Sequence, residues 1–144
     1  MSSLYLDLLE ALRVSCNLPP FPDPLPSTEL DLELEGGPTV TLDFNEEREA
    51  VEIFSEIGKY SLEVELEILK KISEDNFLWE KTFGATLSAR PEVQTLYLAY
   101  QAPVSSLIGS EFVHRVEKFI EVVQEWKKIL LGEDFSVLDE NQEP

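Results

Sequence analysis

Cationic side chains are scarce in this chain of 144 residues. Eleven Lys and Arg stand against 29 Asp and Glu, a formal net charge of −18, and the sequence pI is about 4.2. A surface of that sign repels phosphate backbones and anionic lipid, so nucleic-acid binding and membrane-surface binding are disfavoured. Only one cysteine is present, Cys16, which excludes an internal disulfide framework and a multi-cysteine zinc site. Only one histidine is present, His114. No apolar run approaches the roughly 18 residues that would suggest a membrane-spanning helix. The opening residues Met1–Asp7 carry neither a basic region nor the apolar core of a signal peptide, so the chain reads as cytoplasmic.

Apolar content is ample by contrast. Hydrophobic residues make up 43% and aromatics 10% of the sequence, which argues for a folded domain. A chain of this length can bury about 68–70% of its unfolded surface, enough for a true core. One α+β domain over residues 1–132 is expected, followed by an acidic tail over 133–144. The tail has five carboxylates and no Lys or Arg, the composition of a disordered segment.

The elements follow from periodicity. Leu4, Leu8, Leu9, Leu12 and Cys16, with Tyr5 beside them, predict a first helix from Ser3 to about Asn17. Pro19 and Pro20 stop it, and Pro19–Pro26 reads as a stiff extended connector. From Thr28 the period becomes two. Leu30, Leu32 and Leu34 alternate with acids. After Gly36-Gly37-Pro38, Val40, Leu42 and Phe44 alternate with polar residues, and a third strand holds Val51 and Ile53. A three-stranded antiparallel meander is the simple reading.

A second helix starts at Ser61 with a stripe of Leu62, Leu66, Leu69 and Ile72. Phe77-Leu78-Trp79 at its end is apolar in excess of what one stripe needs, which suggests an interface. A second hairpin is expected, with Phe83, Ala85, Leu87 and Ala89 on one strand and Val93–Tyr100 on the other. The return strand is apolar on both faces, as if covered on both sides. A last helix runs from about Ser110 to Leu131 with Gly132 as its cap. Phe112, Val116, Phe119, Val123, Trp126 and Leu130 form its stripe.

Catalytic patterns are missing. His114 falls near the wet face of the last helix, Cys16 lies on an apolar stripe, and Gly36-Gly37 precedes a strand where a phosphate cradle would open a helix. Asp31, Glu33, Glu35 and Gly36 fit the first half of a calcium loop, but the position that requires a bidentate acid is Leu42. No enzyme, cofactor or metal is expected.

Three features together resemble the class I type III secretion chaperones, the Tir-chaperone family. They are the element order, the stretch Trp79-Glu80-Lys81-Thr82-Phe83-Gly84-Ala85-Thr86-Leu87-Ser88, and the closing strand Val93–Tyr100 followed by Pro103-Val104 and a long aromatic-bearing helix. The resemblance spans about Leu4 to Leu131. It implies a homodimer, in the cytoplasm of a Gram-negative bacterium, that holds the N-terminal segment of a secreted effector or regulator in extended form without using ATP. It also implies cargo contacts from Leu4, Leu8 and Leu12 of the first helix and Leu30, Leu32, Leu34, Val40, Leu42 and Phe44 of the first strands. It implies a dimer surface around Leu69, Ile72, Phe77, Trp79, Phe83 and Ala85. Two alternatives stay open: a secretion-system regulator or anti-activator on the same fold, and an acidic nucleic-acid mimic whose carboxylates do the binding.

Overall fold

Strict alternation from Leu30 to Asn45 dictates a hairpin, and in the computed structural model, which describes residues 3–34 and 37–132, that hairpin opens a single sheet. Strand β1 is Leu30–Glu33, β2 is Thr39–Asn45 and β3 is Ala50–Lys59. Leu30 faces Leu42 and Leu32 faces Val40, so every apolar side chain of β1 meets another on the same face. Asp31 and Glu33 then fall opposite Thr41 and Thr39 on the other face. The pattern continues with Leu42 opposite Ile53 and Phe44 opposite Val51.

The expected second hairpin is β4, Thr86–Arg90, and β5, Thr95–Pro103. It does not stand apart from the meander. Strand β5 pairs antiparallel with β3 from Ala50–Pro103 to Lys59–Thr95, with a bulge between Glu56 and Gly58. The result is one five-stranded antiparallel sheet in the order β1-β2-β3-β5-β4. Together with helices α1 (Ser3–Cys16), α2 (Glu65–Asp75) and α3 (Gly109–Leu130), this is the expected α+β fold.

Helix α1 buries Tyr5, Leu8, Leu9 and Leu12, a face of spacing i, i+3, i+4, i+7. The stripe therefore begins one residue later than Leu4 predicts, and Leu4 is exposed. Tyr5 takes the core position because its ring stacks on Phe44 at 5.1 Å. Its hydroxyl donates to the Thr28 carbonyl at 3.1 Å, so the buried phenol keeps a partner. Burial, with the charge of Asp43 second, raises the Tyr5 hydroxyl well above the usual tyrosine range.

Helix α2 is preceded by a short 3₁₀ turn, Leu62–Val64, whose start is capped by Ser61 accepting from the Glu63 amide. Its buried face is Val64, Ile68, Ile72 and Asp75, not the expected Leu62-Leu66-Leu69 row, which points outward. Helix α3 buries Phe112, Val116, Phe119, Val123 and Trp126 as expected, with Val113, Val122 and Ile129 beside them; Leu130 is only partly buried. It closes at Gly132, in left-handed conformation (φ 109°), whose amide donates to Ile129.

Helix α3 packs on β3 and on α1. At the α1–α3 crossing, a Cβ on Gly109 would lie 2.9 Å from the Ala11 Cβ, so glycine permits the close approach. Phe83 and Ala85 are not in a strand. Phe83 and Gly84 adopt left-handed backbone (φ 54° and 91°), which breaks the extended run, and β4 begins only at Thr86. Val93 likewise sits in a 3₁₀ turn, Pro91–Val93. On the outer face of β5, Thr95 is buried and Tyr97 half-buried, while among the described residues nothing covers Ala99 and Gln101, which are exposed. The tail expected over 133–144 lies outside the described residues.

Candidate functional site

An open sheet must end in two edges, and here the two are treated differently. Strand β4 is closed at Leu87 by one side chain. Asn76, just past the end of α2, donates from Nδ2 to the Leu87 carbonyl at 2.9 Å, and the Leu87 amide donates to Asn76 Oδ1 at 2.8 Å. The amide thus supplies the donor and acceptor of a missing strand partner. At the other edge, β1 pairs with β2 on one side, and among the described residues no element pairs with its outer side. Alternate residues of such an edge direct their N–H and C=O groups away from the sheet.

The side chains of β1 give that edge two different faces. Leu32 is buried under the helices, and Leu30 and Leu34 are half-buried at either end. Asp31 and Glu33 are exposed on the opposite face. That outer face continues with Asp43 on β2 and Glu52 and Glu56 on β3. Asp31 accepts from the Thr41 hydroxyl at 2.7 Å, Asp43 from Thr28 at 2.7 Å and Glu52 from Gln101 at 2.7 Å. Among the described residues none of these five carboxylates has a cation within ion-pair distance.

Beside α1, the connector leaves an open groove of about 800 Å³ lined by Leu6, Leu9, Arg13, Phe21, Leu25 and Glu46. Arg13 donates to both oxygens of Glu10, at 2.6 and 3.0 Å, and to the Leu18 carbonyl at 3.3 Å. It therefore ties the end of the helix to the start of the connector, and its hydrogen bonds hold the Glu10 carboxyl below the usual glutamate range.

A second surface lies on α2 and the segment after it. Leu62, Leu66 and Leu69 form an outward row at spacing i, i+4, i+7, with Leu62 67% and Leu66 61% exposed. In the segment after α2, Phe77 (72%), Leu78 (63%), Trp79 (51%) and Phe83 (43%) are exposed too. Leu78, Trp79 and Phe83 all have φ near 55°, a conformation bulky side chains rarely adopt. Arg115 donates to the Phe83 carbonyl at 2.8 Å, and Lys118 lies over the Phe83 ring at 5.1 Å. Strained backbone that displays large apolar side chains to solvent is a feature of binding sites rather than of cores. Next to it, Trp126 donates to Asp75 Oδ2 at 3.2 Å inside the protein, while Lys71 and Lys81 approach that carboxylate at 3.9 and 3.7 Å.

The residues expected at the cargo surface divide sharply. Leu8, Leu12, Val40, Leu42 and Phe44 are core, Leu32 is buried, Leu30 and Leu34 are half-buried, and Leu4 is exposed. Of those expected at the dimer surface, Leu69, Phe77, Trp79 and Phe83 are exposed, as are Leu62 and Leu66; Ile72 and Ala85 are buried. Sequence reasoning flagged Leu78 with Phe77 and Trp79, set Leu62 and Leu66 on the stripe expected to be buried, and missed Asn76. The second apolar row of α2 carried a signal, since its spacing is helical; the role of Asn76 had none. His114 is exposed, and Cys16 is half-buried with its thiol pushed up by burial and by Glu117. Among the described residues no group of three or more His, Cys, Asp or Glu could hold a metal ion, and no helix is long and apolar enough to cross a membrane.

Against known proteins, the model of the Tir chaperone protein (CesT) family matches residues 7–127. The chain belongs to this family. The CesT family is the one that the strand and helix pattern of the sequence resembles, and its members are chaperones. Solved structures agree with the CesT-family fold. A chain of the HopA1–SchA chaperone–effector complex superposes with TM-score 0.68 at 14% identity, covering 87% of this chain and 94% of that one. A chain of the ExoT–SpcS complex from Pseudomonas aeruginosa gives TM-score 0.66 at 19% identity, covering 87% and 98%. A chain of the heterodimeric ExoU–SpcU complex from the type III secretion system of Pseudomonas aeruginosa gives 0.68 at 14% identity, covering 84% and 95%. No curated protein matches the chain.

Proposed function

We propose that this chain is a cytoplasmic, homodimeric type III secretion chaperone that holds the N-terminal segment of a secreted effector or regulator in extended form. The observation that carries the proposal is the contrast between the two sheet edges: β4 is bonded at Leu87 by Asn76, and among the described residues β1 has no partner on its outer side. An edge strand binds through main-chain hydrogen bonds, which accept almost any cargo sequence, while pockets for alternate side chains add selectivity. Family membership and the complexes in which the similar solved chains occur support the same reading.

The half-buried Leu30 and Leu34 and the exposed Leu4 are the residues available to touch cargo; Leu8, Leu12, Leu32, Val40, Leu42 and Phe44 shape the surface from beneath. Self-association uses the outward row of α2 with Phe77, Trp79 and Phe83, with Ile72 and Ala85 as support below. No chemical step is required. Binding alone keeps the segment from folding or aggregating, at the entropic cost of ordering it.

The test is purification of the chain from its native host, with mass spectrometry of what remains bound. An N-terminal segment of a secreted protein is the expected companion. A second protein bound in folded form would favour the regulator reading. A nucleic-acid-binding protein released by moderate salt would overturn the chaperone reading in favour of the acidic mimic.

A further inference from the structure

The outer face of the sheet beside β1 carries Asp31 and Glu33 on the edge strand itself, then Asp43, Glu52 and Glu56 on the next two. Among the described residues, none of these carboxylates has an ion-pair partner. The inner face of the same edge is the apolar row Leu30, Leu32, Leu34. A strand added to β1 must alternate between these two environments, because successive side chains of a strand point to opposite faces. Its residues on the acidic side lie about 4.5–5.5 Å, Cβ to Cβ, from those directly opposite on β1, close enough for charge to favour or oppose the pairing.

We propose that the strand taken up along β1 carries lysine or arginine at the positions flanking Asp31 and Glu33, alternating with apolar residues that continue the Leu30–Leu32–Leu34 row. This rests on the reading of β1 as the cargo edge and assigns the chemistry of the segment that edge prefers. The acids have a second consequence. Two copies of β1 brought edge to edge would set like charges against one another, so the same pattern discourages pairing of the open edge with itself. Charge here selects and orients the strand, while main-chain bonds and apolar contacts hold it.

The experiment uses the full chain and four fluorescent ten-residue peptides. Three alternate apolar residues with Lys, with Gln or with Glu. The fourth has the composition of the Lys peptide with its lysines in one block. Anisotropy at about 50 mM salt is expected to rank the alternating peptides Lys, Gln, Glu, with Lys over Glu by roughly tenfold, and to place the blocked peptide below the alternating Lys peptide. Replacing Asp31→Asn together with Glu33→Gln should bring the three alternating peptides to within about threefold of one another. Equal affinity of the Lys and Glu peptides, or of the blocked and alternating Lys peptides, overturns the inference. In that case a bound Gln peptide leaves the edge reading standing. If none of the four binds, the edge reading falls and takes the inference with it.

Discussion

Replacing Asn76 by alanine tests the account of the two edges most sharply inside a single protomer. Leu87 is buried, and its amide and carbonyl both find their outer partner in the Asn76 side chain. Alanine removes both partners. A buried main-chain group left unsatisfied costs about 1–3 kcal/mol; both bonds are part-buried, so water recovers some of the loss and the pair should cost about 2–4 kcal/mol. For a domain of this size that corresponds to a fall of roughly 10 °C in Tm. The assay is urea denaturation at one fixed protein concentration, since self-association would link stability to concentration. The midpoint should fall with little change in slope. Asn76→Asp should also destabilise, because a carboxylate oxygen then faces the Leu87 carbonyl. Its protonated form can donate there, so its folded pKa is raised. The deficit should therefore be largest at neutral pH, shrink as pH falls through that raised value, and be smallest below about 4, where the unfolded carboxyl is protonated as well. A variant Asn76→Ala within about 0.5 kcal/mol of the parent would refute the claim that this side chain stands in for a strand.

Gly109→Ala should destabilise by about 1–3 kcal/mol by forcing α1 and α3 apart, and adding Ala11→Gly should recover part of the loss; an unchanged denaturation midpoint for the single variant would count against the close crossing. The raised Tyr5 hydroxyl favours the neutral phenol in the folded state, so its contribution is intact below the unfolded value of about 10 and is lost as pH rises beyond it. Stability should fall in alkali with a slope that Tyr5→Phe flattens, and an identical alkaline slope in the two proteins would contradict this. Light scattering should give twice 16.4 kDa for the parent and 16.4 kDa for Leu66→Glu with helix content preserved, because Leu66 is exposed in the protomer; a parent that stays at 16.4 kDa across a concentration series rules out the dimer.

Much of the fold was legible because β1 and β2 alternate without exception, and the buried set of α3 recurs at clean helical spacing. The phase of α1 and α2 was not. Leu4 and Tyr5 are both apolar neighbours, and only the ring of Phe44 decides between them. Helix α2 has two apolar rows, and sequence cannot say which meets the sheet and which meets solvent. The union of meander and hairpin depends on β3 pairing with β5, from Ala50 with Pro103 to Lys59 with Thr95, long-range contacts that leave no local mark. For the same reason most residues expected to bind cargo turn out to be core. Alternation marks the side of a strand that is dry, and the dry side is usually dry because the protein's own helices cover it.

Hydrogen exchange on the complex purified from the native host, compared with the free protein, bears most directly on the central claim. If cargo lies along the open edge, amides of Leu30–Glu33 that point outward should exchange at least tenfold more slowly in the complex, while those of β4 around Leu87 stay as they were. Unchanged exchange in β1, with protection gained only around Phe77–Phe83, would contradict it.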